Sequence, residues 1–297
     1  MVQTALQFTL KTQQVDESFS QGMVTSSLLL LLFDRNRISY AIIDKQRQKA
    51  VALKDYHIVS DSTQSDSDDY KPGAFTQLLE MDELLNQLQP QQVILSVYST
   101  KHSLVPNPLF SKDQLKDILS LTSRIKDDDR FYADAVPSAN AHLVYAVPEE
   151  LLKETGTIYK EAALYFAGSS FIENQLRLHK HESTPAVAVM VRPLNIDIAI
   201  THGSELKFFN SFTYQSSEDL IYYLLFSIEQ LQLNADQVAV VFYGEIEKTS
   251  SHWMLAGKYI RNIRLGERTE VLEYSYGFDR LSAHQYVGLF NQYLCAL

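Results

Sequence analysis

Apolar residues in this chain come in short runs divided by polar turns, and two stretches repeat one order of runs. In residues 186–244 two apolar strands, AVAVMV and IDIAIT, precede a third, LKFFNSF; an amphipathic stretch, SSEDLIYYLLFSIEQLQL, and a last strand, QVAVVFYG, follow. Residues 28–99 hold a looser version. LLLLLF is apolar at every position, as in a strand buried on both faces, and ISYAIID alternates, as in a strand with one buried face. With residues 50–56 these make three short strands joined by tight turns. Residues 75–88 read as a helix with Leu78, Met81, Leu85 and Leu88 on one stripe, stopped by Pro90, and VILSVY as the strand after it. In the second stretch Leu220, Leu224, Ile228 and Leu231 form the helical stripe, widened by Ile221 and Leu225. Ser216 and Asp219 stand at capping-box spacing at its start.

The intervening sequence has another character. LVPNPLF carries two prolines, so it marks an edge or a crossing and not a central strand. A helix is predicted over 111–124, with Gln114 placed to complete a capping box on Ser111 and Leu115, Ile118, Leu119, Thr122 and Ile125 facing inward. Strands over 130–136 and 142–147 and a short helix entered at Pro148 follow. Together, residues 101–155 read as a small α+β module inserted into the first half. Residues 158–163 predict a linking strand, followed by a helix to 178. Helices over 249–259 and 283–294 complete the chain, the last with Tyr286, Val287, Phe290, Tyr293 and Leu294 packing on its own domain or on a partner. Residues 1–26 read as a polar arm or edge strand. The expected division is 1–184 for the first half, with its inserted module, and 185–297 for the second.

Composition narrows the function classes. With 45% hydrophobic and 21% charged residues the chain fits a soluble globular protein. A net charge of −10 disfavours both nucleic acid and anionic lipid as partners, since each needs a basic face. The lone cysteine, Cys295, allows no intrachain disulfide, which suits a cytoplasmic protein; QYLCAL surrounds it with no base, as for an apolar filler. No apolar run is long enough to span a bilayer, so no membrane insertion is expected.

Three antiparallel strands, a helix and a strand, twice in one chain, is the plan of the ribonuclease H-like halves of actins and sugar kinases. The expected class is therefore α/β, with duplicated ribonuclease H-like (actin-like ATPase) halves and the inserted module. LKFFNSFTYQSSEDLIYYLLFSIEQLQL followed by VAVVFYGEI, together with LVPNPLF and the terminal QYLCAL, resembles an uncharacterised Bacteroidota family of unknown function (DUF3822-like). The resemblance implies an actin-like ATPase fold over nearly the whole chain and is silent about activity. The module is also similar, in topology alone, to the insertion in actin relatives of cell division and pilus assembly.

Such a fold, when it hydrolyses ATP, needs phosphate-binding turns at the first hairpin of each half, with an aspartate for the magnesium shell and glycines for close backbone approach. The first hairpin here reads Phe33-Asp34-Arg35-Asn36-Arg37, with Asp34 in the aspartate position and Asn36 in place of glycine. The second reads Arg192-Pro193-Leu194-Asn195, with neither acid nor glycine. The adenosine position keeps Gly244, followed by Glu245, whose charge would repel a polyphosphate in the cleft. If ATP with magnesium binds, the candidate residues are Asp34, Asn36 and Gly244, and the activity is that of an ATPase or phosphotransferase. Because phosphoryl transfer rests on positioning and charge, the turns favour no cofactor and a non-catalytic adaptor or scaffold binding another protein. An atypical ATP-binding protein or ATPase is the alternative, and a self-assembling filament subunit a third reading.

The remaining chemistry is sparse. No G-x-S-x-G, P-loop or H-E-x-x-H is present. Residues 60–69 (SDSTQSDSDD) lack the glycine and glutamate of a calcium loop. His179 and His181 read as exposed loop residues and Asp127, Asp128 and Asp129 as a solvated helix end, so no metal site is expected.

Overall fold

The fold was read from a computed structural model, which describes residues 6–17, 19, 26–59 and 70–296. The loop expected over 60–69 lies outside them. Strands β1 (Gln7–Val15), β2 (Ser27–Asp34), β3 (Arg37–Asp44) and β4 (Lys49–Val59) lead to helices α1 (Ala74–Met81) and α2 (Glu83–Gln87) and to β5 (Gln92–Val97). Next comes a module of β6 (His102–Pro106), α3 (Leu115–Ser120), β7 (Asp129–Val136), β8 (Ala141–Pro148) and α4 (Glu149–Ile158). The chain then returns through β9 (Ala163–Phe166) and α5 (Ala167–His179). A second series follows: β10 (Pro185–Val191), β11 (Asn195–His202), β12 (Glu205–Thr213), α6 (Ser217–Gln230), β13 (Ala239–Gly244), α7 (Ser251–Tyr259) and β14 (Asn262–Leu265). The short strand β15 (Glu273–Tyr274) and helix α8 (Val287–Phe290) come last.

Among the described residues the strands form three sheets. The first runs β1-β4-β3-β2-β5-β9, with β15 also on β4; the second runs β12-β11-β10-β13-β14. Leaving aside the edge strand β1, three consecutive strands in each (β2–β4 and β10–β12) are antiparallel, the fourth (β5, β13) pairs parallel to the first and the fifth (β9, β14) parallel to the fourth. Both centres therefore have one order, third-second-first-fourth-fifth. The module is a separate sheet, β6-β8-β7.

Strand β2 shows why this order is stable. Leu28 to Leu31 are all fully buried, Leu29 and Leu31 in one apolar cluster and Leu28 and Leu30 in another on the opposite face. The first cluster takes Phe75, Leu78 and Leu85 from α1 and α2 and Phe171 and Ile172 from α5; the second takes Phe278, Leu289 and Phe290. The elements around the first sheet and those around the second form two lobes; in the second, α6 contributes Leu220, Leu224 and Ile228 to a core over Val187, Val189 and Ile198. Ala188, Met190 and Tyr243, on the other face, join Phe171 of α5. Ten of the thirteen residues of α5 are buried, so this helix forms the packed layer between the lobes.

Several elements differ from expectation. The helix over 75–88 breaks at Asp82, whose carboxylate accepts from Tyr40 Oη (2.8 Å), Tyr56 Oη (2.7 Å), Lys54 Nζ (2.9 Å) and the Leu84 and Leu85 amides. This network fixes Asp82 in an extended conformation, where it caps α2, and leaves Met81 exposed instead of on the stripe. The expected 111–124 helix is a 3-10 turn followed by six residues of α3, with no cap bond from Ser111. The strand expected at 158–163 falls at β9, because α4 runs on to Ile158. The closing helix is reduced to α8 and a 3-10 turn, since Tyr286 sits left-handed at φ 58°. His179 is buried in the last turn of α5, its Nδ1 3.0 Å from Glu182, whereas His181 is exposed as expected. Asp129 is buried too and pairs with Lys101 Nζ at 2.7 Å.

Candidate functional site between the hairpin turns

Asp34 ends β2 and pairs in register with Arg37; Arg192 follows β10 and bonds through its N–H to the Asn195 carbonyl. The two turns occupy equivalent places in the two lobes and face each other. Between them lies a cavity of about 340 Å³ lined by Asp34, Arg37, Tyr98, Arg192, Gly244 and Tyr286, among others. Asp34 and Gly244 are thus brought together. Asn36 is exposed at the hairpin tip and borders a neighbouring hollow of about 380 Å³ with Pro193 and Leu194.

Two arginines organise the cavity. Arg192 is 6% exposed and donates to both carboxylate oxygens of Asp197 on β11 (3.1 and 2.9 Å). Its remaining nitrogen reaches across to Asp34 Oδ1 at 3.2 Å, and its guanidinium stacks 4.0 Å from the Tyr98 ring centroid. Burial works against its charge, but Asp197 and Asp34 outweigh that and hold its pKa above the ordinary arginine value. Arg37 is the counterpart from the first turn. It makes a two-pronged pair with Asp55 (2.7 and 2.8 Å) and a second ion pair with Glu245, across the cleft. Burial pulls its pKa down, and Asp55 and Glu245 more than reverse this. The Tyr286 hydroxyl donates to Asp55 (3.2 Å) and accepts from the Thr12 hydroxyl (2.5 Å); burial, then the Asp55 charge, pushes the tyrosine pKa up to about 12.

The backbone donors are engaged as well. Gly244 holds φ 83°, and a Cβ there would collide with the Val191 carbonyl, so glycine is required by packing. Its N–H donates to the His284 carbonyl (2.9 Å), the Glu245 N–H to Val191 O (2.8 Å) and the Arg35 N–H to Asp34 Oδ1 (3.0 Å). The charged side chains lining the cavity are Asp34, Asp55 and Glu245 against Lys11, Arg37 and Arg192, with both arginines paired to carboxylates. Asp34, the residue expected to serve a magnesium shell, accepts a hydrogen bond from Arg192. Among the described residues no group of three or more His, Cys, Asp or Glu side chains is placed to hold a metal.

The sequence offered Asp34 and Gly244, which line one cavity in the structure, and gave no direct sign of Arg192, Arg37, Asp55 and Tyr98 as their neighbours. The usable signal was an arginine and an aspartate at equivalent hairpin positions of two repeated strand orders.

Sheet order and cleft together define an actin-like ATPase fold. The chain belongs to the family described as "Protein of unknown function (DUF3822)", whose model matches residues 16–263. A protein of Bacteroides thetaiotaomicron VPI-5482 with an actin-like ATPase fold and unknown function is similar in structure (TM-score 0.75, 16% identity, 84% of this chain and 93% of that one). The PilM-PilN type IV pilus biogenesis complex contains a similar chain (TM-score 0.61, 11% identity, 90% and 98% covered). No curated protein matches. Among the described residues no helix is long and apolar enough to cross a membrane.

Proposed function

We propose that this chain is a non-catalytic member of the actin-like ATPase fold that acts in the cytoplasm as an adaptor or scaffold for another protein. The observation that carries the reading is Arg192: it occupies the meeting point of the two phosphate turns and engages the aspartate that a magnesium nucleotide would need. We take residues 1–184 and 185–297 as duplicated halves whose turns have diverged from nucleotide binding. The similarity to a chain from a pilus biogenesis complex supports a protein partner. Titration of the purified chain with ATP and magnesium in a calorimeter tests this. No binding heat is expected, and a one-to-one isotherm with micromolar affinity would sink it.

The cavity itself favours a second reading, an atypical ATP-binding protein or ATPase, because about 340 Å³ remains open beside Gly244. On that reading the wild type releases phosphate from ATP with magnesium, and Asp34→Ala abolishes the release while leaving the melting curve cooperative.

A further inference from the structure

The second lobe carries an aromatic surface that the cleft does not use. Phe208 and Phe212 of β12 stand with ring centroids 6.4 Å apart and planes within 12°; Phe212 stacks on Tyr223 of α6 at 4.7 Å and 13°. Tyr223 meets Tyr222 edge-on at 5.4 Å, and Tyr222 stacks on Phe226 at 6.1 Å and 19°. The series runs from the outermost strand of the sheet to solvent, where Tyr222 is 62% and Phe226 43% exposed. The capping box of Ser216 and Asp219 fixes the start of α6, and its Leu220–Leu224–Ile228 stripe anchors the opposite face. The exposed rings are therefore held on a rigid helix, which suits contact better than core filling.

Charge frames the rings. Residues 218, 222, 226 and 229 fall on one helical face, so the exposed Glu218 and Glu229 close the two ends of the Tyr222–Phe226 pair. Helix α6 contains no Lys or Arg, and Lys207 of β12 is paired with Glu205. A second copy of this chain would bring the same glutamates against each other, and an anionic lipid surface would be repelled. A segment with apolar residues at its centre and arginines at both ends meets every feature: apolar side chains cover the rings, guanidinium groups stack on them and pair with the glutamates.

We propose that the Glu218–Tyr222–Phe226–Glu229 face of α6 is a docking surface for a basic, apolar-centred segment of a partner protein. It rests on the adaptor reading only in taking a protein as occupant. ATP binding in the calorimeter would end that reading without touching this one.

The probe is a synthetic amphipathic peptide of about four helical turns, leucines at its centre and arginines at both ends, with a twin in which glutamates replace the arginines. Fluorescence titration should show the arginine peptide binding and the twin not. Tyr222→Ala with Phe226→Ala should weaken binding about tenfold or more, and Glu218→Lys with Glu229→Lys should reverse the preference toward the twin. Melting curves check that the variants fold, and Tyr222→Ser alone stands in if the double variant does not. Equal binding by all three proteins, no binding of the arginine peptide, or equal binding of the twin overturns the proposal. Sedimentation and flotation with anionic vesicles complete the test. Self-association or vesicle binding that is lost in the aromatic variant assigns the face to another occupant and overturns it too.

Discussion

The two lobes share a strand order and differ in nearly everything attached to it. In the first, the helical layer is broken at Asp82, where a buried carboxylate gathers two tyrosines and a lysine. In the second, α6 is one continuous helix whose buried face is Leu220, Ile221, Leu224 and Ile228, with Ser227 bonded back to its own helix. The residues that open the two hairpin turns differ in sign, Asp34 in the first and Arg192 in the second, and they pair with each other across the cleft. The strand order is held by side chains buried along the strands, so the turns could change without disturbing it. A scaffold of this kind does not by itself specify chemistry.

Substitutions that separate the lobes sharpen this contrast. The largest effect is expected at Asp82. Asp82→Ala leaves Lys54, Tyr40 and Tyr56 without their acceptor and should cost about 3–5 kcal/mol in urea unfolding. Burial raises the Asp82 pKa, but hydrogen bonds from Tyr56, Lys54 and Tyr40 outweigh it, so the folded carboxylate titrates below its ordinary value. Its stabilisation is therefore complete above about pH 4 and lost as the pH falls through the folded pKa. The less disruptive Asp82→Asn should flatten the acid limb of the stability profile, and an unchanged limb would remove Asp82 from the account.

Leu224→Ala, at a fully buried position of the apolar helix, should cost about 3 kcal/mol with no change in the pH profile. Asp34→Ala should cost about 1.5 kcal/mol, since Arg192 keeps Asp197. A double-mutant cycle with Arg192→Met should give a coupling above about 0.5 kcal/mol; zero coupling would mean that the turns do not hold each other. The smallest effect compares two serines at the same spacing. Ser216→Ala should cost about 1 kcal/mol, whereas Ser111→Ala should fall within about 0.5 kcal/mol of wild type.

That serine pair also marks what the sequence could convey. Ser216 with Asp219 forms the capping box its spacing predicts, because a helix of fourteen residues follows. Ser111 with Gln114 has the same spacing, yet the backbone enters a 3-10 turn and the cap bond is not made. Strands were readable because LLLLLF and AVAVMV record burial directly. The break at Asp82 was not, since its cause lies in Tyr40 and Tyr56, far away in sequence. Likewise the closing helix gives way where Tyr286 reaches back to Thr12 and Asp55. At the site, the missing glycines were legible in the turns. The guanidinium set against Asp34 was not, because its partners come from both lobes and from Tyr98.

The most direct test of the central claim is a crystal structure determined with ATP and magnesium present. The account predicts Arg192 still bonded to Asp34 and Asp197, with no triphosphate between the turns. A triphosphate held there by the Asp34 and Pro193 bends, with Arg192 swung away from Asp34, would contradict it.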